Sequence, residues 1–187
     1  MQEDIDKVLS ETKEEMSHAI EHLRHELTKV RTGKASTNLV NEILVPYYGT
    51  PTPMGQIANI STTDARTITI QPWEKSMIEP IERAIFEANL GLTPQNDGEL
   101  IRLSIPALTG ERRAEYVKKA KALGEEAKIS IRNTRHKAMD VVKKAVKDGY
   151  PEDAGKRVES KIEDTTKEFG KKVDDYVAAK ERDIMTI

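Results

Sequence analysis

The apolar positions of this chain fall into two rhythms. From residue 2 to 31 they recur in alternating steps of three and four: Ile5, Leu9, Thr12, Met16, Ala19, Leu23, Leu27 and Val30. That spacing draws a single stripe along a helix, and holding it over several heptads favours near-parallel packing in a bundle. The run Glu111 to Lys147 repeats it through Val117, Ala120, Gly124, Ala127, Ile131, Thr134, Ala138, Val141 and Ala145. At 1.5 Å per residue this second helix would reach roughly 55 Å. Its stripe is made of small residues, which permits close approach of neighbours. Gly124 costs about 1 kcal/mol relative to Ala in mid-helix, so tight packing is its expected reason. Gly149-Tyr150-Pro151 ends this helix and opens a third, with Gly at C′ and Pro at N1. The third stripe runs Val158, Ile162, Thr165, Phe169, Val173, Tyr176, Lys180 and Ile184. So short a connection makes the two helices antiparallel.

Between Thr32 and Leu108 the rhythm changes and Pro and Gly punctuate the chain. Glu42-Ile43-Leu44-Val45 and Arg66-Thr67-Ile68-Thr69-Ile70 are rich in β-branched residues and read as strands, as does Leu100 to Ile105. Gly49-Thr50-Pro51-Thr52-Pro53 reads as a turn or short extended link. Ser76-Met77-Ile78-Glu79 has the form of a capping box, followed by Ile81, Ala84, Ile85 and Ala88 as a buried helical face and Gly91 as a stop. The predicted class is α+β: an antiparallel three-helix bundle (1–31 and 107–187) with a small β/α/β domain (32–106) inserted through two adjacent connections. A hinge is expected at those connections, at Thr32, Gly33, Pro106 and Ala107.

Charged residues make up 33% of the 187 and aromatics only 4%, a profile that suits long solvated helices. No run approaches the roughly 18 apolar residues of a membrane span. The acidic start Met1-Gln2-Glu3-Asp4 resembles neither a signal nor a transit peptide. Zero Cys removes disulfides, thiol nucleophiles and thiolate metal sites, and a cytoplasmic location is the expectation.

Charge changes the picture more. The chain is −2 overall, but Glu111–Lys147 carries twelve Lys or Arg against five Asp or Glu. At 100° per residue, Lys121, Lys128, Arg132, Arg135 and Lys143 share an arc of roughly 80°, flanking the apolar stripe. Glu125 falls in the same arc. Two readings stay open on charge alone. A basic edge on a near-neutral protein is the footprint of localised phosphate contact; alternatively, the two acidic outer helices neutralise the central one across the bundle. With no aromatic in the arc, docking on the shape of folded RNA suits it better than stacking on single strands.

Enzyme readings fail in turn. Arg31-Thr32-Gly33-Lys34-Ala35-Ser36 contains Gly-Lys, but a phosphate loop needs Gly where Thr28 stands and Ser or Thr where Ala35 stands. There is no G-x-S-x-G motif. His18, His22 and His25 share a face of the first helix, yet their spacing is not H-E-x-x-H and a solvated face is the expectation.

Several stretches together are distinctive: Val30-Arg31-Thr32-Gly33-Lys34-Ala35-Ser36, Tyr47-Tyr48-Gly49-Thr50-Pro51-Thr52-Pro53, Asp64-Ala65-Arg66-Thr67, Asn89-Leu90-Gly91-Leu92, Leu108-Thr109-Gly110-Glu111-Arg112-Arg113 and Ile131-Arg132-Asn133-Thr134-Arg135. In this order, over nearly the full length, the chain resembles bacterial ribosome recycling factor. The resemblance implies an L-shaped monomer without active site or cofactor. It also implies binding to the post-termination ribosome and splitting of its subunits together with elongation factor G, which hydrolyses GTP. The basic side of the second long helix would face large-subunit ribosomal RNA. Carried over, Arg132 and Arg135 come first as RNA contacts, then Arg31, Arg112 and Arg113, with Lys121, Lys128 and Lys143 completing the basic arc. His136 departs from the family pattern and receives no role. The rival reading is a helical scaffold protein with no RNA role.

Overall fold

The computed structural model describes residues 1–187, and the chain divides into two compact units: Met1–Val30 with Ala114–Ile187, and Arg31–Arg113. The first crossing falls at Val30/Arg31. The second falls at Arg113/Ala114, inside the first turn of a helix, rather than at Pro106/Ala107. Thr109 precedes that helix and caps it, its hydroxyl accepting from the Arg112 N–H at 3.1 Å and its carbonyl from the Arg113 N–H at 2.9 Å.

The first unit is all helix: α1 (Gln2–Thr28), α3 (Gly110–Lys147, its first turn lying in the other unit) and α4 (Glu152–Met185). Ile5 near the start of α1 packs with Val142 late in α3 and with Val158 and Ile162 early in α4. Leu23 and Leu27 pack with Ala120 early in α3 and Ile184 at the end of α4. The helices therefore run up, down and up, as the short connection requires. The stripes bury mostly as their spacing predicts, with three shifts. Ile20 joins Ala19 in α1, Val142 rather than Val141 is buried in α3, Val141 remaining exposed, and in α4 Val177 packs on the core while Tyr176 is exposed. A strict three-four pattern drifts against the 3.6-residue turn, so the buried position slips by one. Gly124 has the expected cause: a Cβ there would lie 2.6 Å from Val177 Cγ2. Pro151 stands at the N-cap of α4, one place before the predicted N1.

The second unit has six strands where the sequence suggested three. Strands β1 (Leu44–Tyr47) and β2 (Thr50–Pro53) form an antiparallel hairpin, so the stretch read as a link is itself a strand. A four-stranded antiparallel sheet runs β3 (Ala58–Asp64), β4 (Thr67–Pro72), β6 (Ile101–Ser104), β5 (Pro94–Asn96). Ile68, Ile70, Ile101 and Leu103 from this sheet pack with Ile81 and Ile85 of helix α2 (Ile78–Glu87), Val45 and Met54 into one core. The expected capping box does not form. Ser76 lies inside a short 3-10 turn (Lys75–Met77), and Met77 occupies the N-cap with no side-chain hydrogen bond. After α2, Asn89 already takes a left-handed conformation (φ 53°), two residues before Gly91.

Candidate nucleic-acid interface

The basic edge of α3 is real, but its members differ in what they touch. Lys128 Nζ meets Asp174 of α4 at 2.6 Å. Arg135 Nε donates to Glu163 at 2.7 Å, and its Nη2 reaches the same carboxylate. Lys121 stands 4.0 Å from Glu181. These three are spaced by seven residues in α3, and their partners Glu181, Asp174 and Glu163 descend α4 in the opposite sense. That is the flanking ion-pair pattern of an antiparallel helical seam. For this part of the row, neutralisation across the bundle is what the fold uses. The Lys128 ammonium is held above its ordinary range, first by the hydrogen bond to Asp174; burial and the nearby Arg132 work against that.

Arg132 is different. It falls four residues after Lys128 and three before Arg135, off the seven-residue register, and it is exposed. No carboxylate lies within ion-pair distance of it. Its guanidinium therefore offers a complete, permanently charged donor fork to solvent. Beside it a groove between α3 and α4 is lined by Lys128, Ile131, Arg135, Thr166 and Gly170. Lys143 is likewise exposed and makes no ion pair, although the neighbouring groove it lines with Arg135 and Lys156 also holds Asp140, Glu159 and Glu163. The arc thus separates into three cations in register with α4 and two left to the outside.

The remaining candidates sit in the second unit. Arg31 Nη2 donates to the Leu90 carbonyl, so its guanidinium is partly committed to its own fold. Arg112 is exposed and Arg113 half-buried, both in the first turn of α3. The expected hinge residues have a defined geometry of their own. Gly33 has φ +78°, and a Cβ there would lie 3.0 Å from Leu108 Cγ. The two chain passages run past the same turn: Ala35 N–H donates to the Ala65 carbonyl and Ile105 N–H to the Arg66 carbonyl, each at 2.7 Å.

His18 and His22 line a groove of about 640 Å³ between α1 and α3, with Glu15, Glu26 and Glu126. No group of three or more His, Cys, Asp or Glu is placed to hold a metal ion. No helix is long and apolar enough to cross a membrane. The sequence left neutralisation across the bundle open as one of two readings but did not name the pairs, whose signal was present: cations every seven residues in one helix and carboxylates in the reverse order in the next.

Comparison with known proteins agrees with the residue-level resemblance. The family model described as Ribosome recycling factor matches residues 23–185. Ribosome-recycling factor of Porphyromonas gingivalis is 46% identical over 185 residues, covering 98% of this chain and all of the relative. That of Trichlorobacter lovleyi is 47% identical over 181 residues, covering 96% and 98%. A solution structure of a ribosome recycling factor superposes with a TM-score of 0.83 at 34% identity, over 98% of both chains. A second structure is 37% identical with a TM-score of 0.69, covering 97% of this chain and 99% of that one. It describes the Thermus thermophilus (T. thermophilus) factor, with E. coli elongation factor G, bound to the E. coli post-termination complex. With nearly its whole length matched by relatives close to half identical in sequence, this chain belongs to the ribosome recycling factor family.

Proposed function

We propose that this protein binds the post-termination ribosome and, together with elongation factor G and GTP hydrolysis by that factor, promotes its splitting into subunits. The observation that carries the reading is the full-length match to a family with a solved relative bound, beside elongation factor G, to a post-termination complex. The protein contributes shape and charge rather than bond-making, acts as a monomer, and works in the cytoplasm where ribosomes are. Sedimentation of post-termination ribosomes with this protein, elongation factor G and GTP tests it: subunits should replace intact ribosomes. Intact ribosomes throughout would overturn the reading.

Within that function, the helical unit is the part that meets large-subunit ribosomal RNA, through the edge of α3. Arg132 leads because it is exposed and makes no ion pair, and Lys143 extends the surface; Arg112 and Arg113, in the second unit, are further RNA contacts. Lys121, Lys128, Arg135 and Arg31 add positive potential while tied to their own fold. Phosphate contacts of this kind give affinity and orientation rather than sequence choice. The passages at Thr32-Gly33 and Pro106-Ala107 act as the hinge between the expected domains. Locking Gly33 to Ala107 by a cross-link should leave ribosome binding intact and stop splitting; full splitting by the locked protein would remove the hinge from the mechanism.

A further inference from the structure

One motif of α1 has no part in the function proposed above. His18-Ala19-Ile20-Glu21-His22 sits well inside that helix and has the form H-x-x-E-H. Four residues are just over one helical turn, so the two imidazoles stand one above the other on the same face. Zinc-binding helices use this spacing because two ring nitrogens can then reach one ion. On periodicity alone such a pair is a solvated face.

The surroundings of the pair add what periodicity lacks. Both rings are exposed, and neither is spent in a hydrogen bond or an ion pair. Both line the groove between α1 and α3, whose charged groups are Glu15, Glu26 and Glu126 against Lys137 alone. Three carboxylates around one ammonium make a field that favours a dication. Two of them have other duties: Glu15 accepts from Thr134 at 3.3 Å and Glu26 from Lys29 at 3.2 Å. They supply potential rather than ligands. Glu21, the carboxylate of the motif, faces elsewhere, lining a groove with residues of α4 and pairing with Arg24 at 3.0 Å. With the motif's carboxylate turned away and no third protein ligand in place, the arrangement does not support hydrolysis. His25, the remaining histidine of the row, does not line the α1–α3 groove.

We infer that His18 and His22 form an exchangeable two-imidazole site for a late first-row divalent metal ion, with water completing its shell. Imidazole nitrogen selects Cu²⁺, Ni²⁺ and Zn²⁺ over the oxygen-seeking Mg²⁺ and Ca²⁺, and among these Cu²⁺ binds tightest. The bound ion bridges consecutive turns of α1, so it holds the helix in its folded form and stabilises the helical unit. None of the RNA-contact candidates lines this groove, so the site is separate from the basic edge of α3.

The test uses untagged full-length protein with Cu²⁺ alone as the first probe. In calorimetric titration His18→Ala and His22→Ala should each weaken Cu²⁺ binding by about tenfold or more, and His25→Ala by less than about twofold. Equal losses in all three variants, or no loss in the first two, would overturn the inference. Paramagnetic broadening of nuclear magnetic resonance signals should centre on residues 18 to 22; broadening centred on the amino terminus or on His136 would overturn it. Excess Mg²⁺ should leave Cu²⁺ in place, and displacement by Mg²⁺ would refute a nitrogen-ligand site. Both rings are exposed and unpartnered, so the metal-free variants should melt with the parent. Saturating Zn²⁺ should then raise the melting temperature of the parent and not of His18→Ala or His22→Ala; an equal rise in all three would count against the pair. No ribosome enters these measurements, so their outcome is independent of the proposed function.

Discussion

The outer edge of α3 and the outer face of the β1–β2 hairpin are opposite in chemistry and alike in logic. One is a row of cations, the other an uncharged strip of Leu, Pro and Tyr. In each, two similar residues a few positions apart have different duties. Arg135 is bound to Glu163, whereas Arg132 has no carboxylate. Tyr47 packs on the core, whereas Tyr48 stands in solvent, although both donate to Glu74. Residue type alone therefore does not tell the two duties apart; what each side chain touches does.

The largest expected effect separates the two surfaces. Arg132→Ala should lower ribosome affinity by about ten- to a hundredfold, the loss of one to two charge-assisted phosphate bonds at about 1.5 kcal/mol each. It should also make the slope of log affinity against log salt shallower by about one, while melting is unchanged. Hairpin variants should leave that slope alone. A salt titration identical for Arg132→Ala and the parent would remove the distinction between the two surfaces.

Next in size is the contrast inside the hairpin. Tyr47→Ala removes a half-buried ring from the core of the second unit and should destabilise it by roughly 2 kcal/mol. Tyr48 has φ +48°, so Tyr48→Asn places a residue suited to positive φ at the tip, recovering about 1 kcal/mol of backbone strain while losing an exposed hydrogen bond of similar size. Its melting should stay near the parent's. If Tyr48→Asn proves as damaging as Tyr47→Ala in thermal unfolding, Tyr48 is as structural as Tyr47 despite its exposure.

Two glycines sharpen the description of the α3–α4 seam. Gly124 faces Val177 with no room for a Cβ, whereas Gly170 in α4 has nothing within 4 Å of one. Gly170→Ala should stabilise the bundle by about 1 kcal/mol through helix propensity alone. At Gly124 the same gain is opposed by an overpacking penalty of about 1–3 kcal/mol, so Gly124→Ala should be destabilising. Chemical denaturation of both variants decides it, and an equal gain at the two sites would mean the seam is loosely packed.

How much of this could be read beforehand follows from which signals are local. Long helices declare themselves by repetition, so α1, α3 and α4 were legible nearly to their ends, and Gly124 with them. In the second unit the signals are short and compete with tertiary context. Strand β2 is Thr-Pro-Thr-Pro, a strand only because β1 pairs with it, and β5 is three residues long. Strand β3 mixes Asn, Ser and Thr with a single exposed-to-buried alternation too weak to stand out. Ser76 has the right residues for a cap, but the chain spends them in a 3-10 turn. In the candidate site, the arc of cations was legible from helical geometry, whereas its division was not. That division depends on which carboxylates of α4 arrive opposite, a pairing set by the register of two helices.

The smallest effect is the one on which that division rests. Arg135 and Glu163 keep 30% and 39% of their side chains exposed, so solvent screens the pair even though two guanidinium nitrogens reach one carboxylate. A double-mutant cycle with Arg135→Ala and Glu163→Ala should give a coupling of about 0.5–1 kcal/mol in unfolding, falling as salt rises. Arg135→Ala alone should weaken ribosome binding less than Arg132→Ala, because the guanidinium it removes was already partly neutralised. Glu163→Ala adds a contrast of sign: it releases Arg135 to solvent, so ribosome affinity should rise slightly as stability falls. A coupling near zero, with Arg135→Ala as harmful to binding as Arg132→Ala, would mean that the ion pair yields whenever RNA is near. All five cations of the arc would then form one surface, and the seven-residue spacing would be a coincidence of sequence rather than a division of labour.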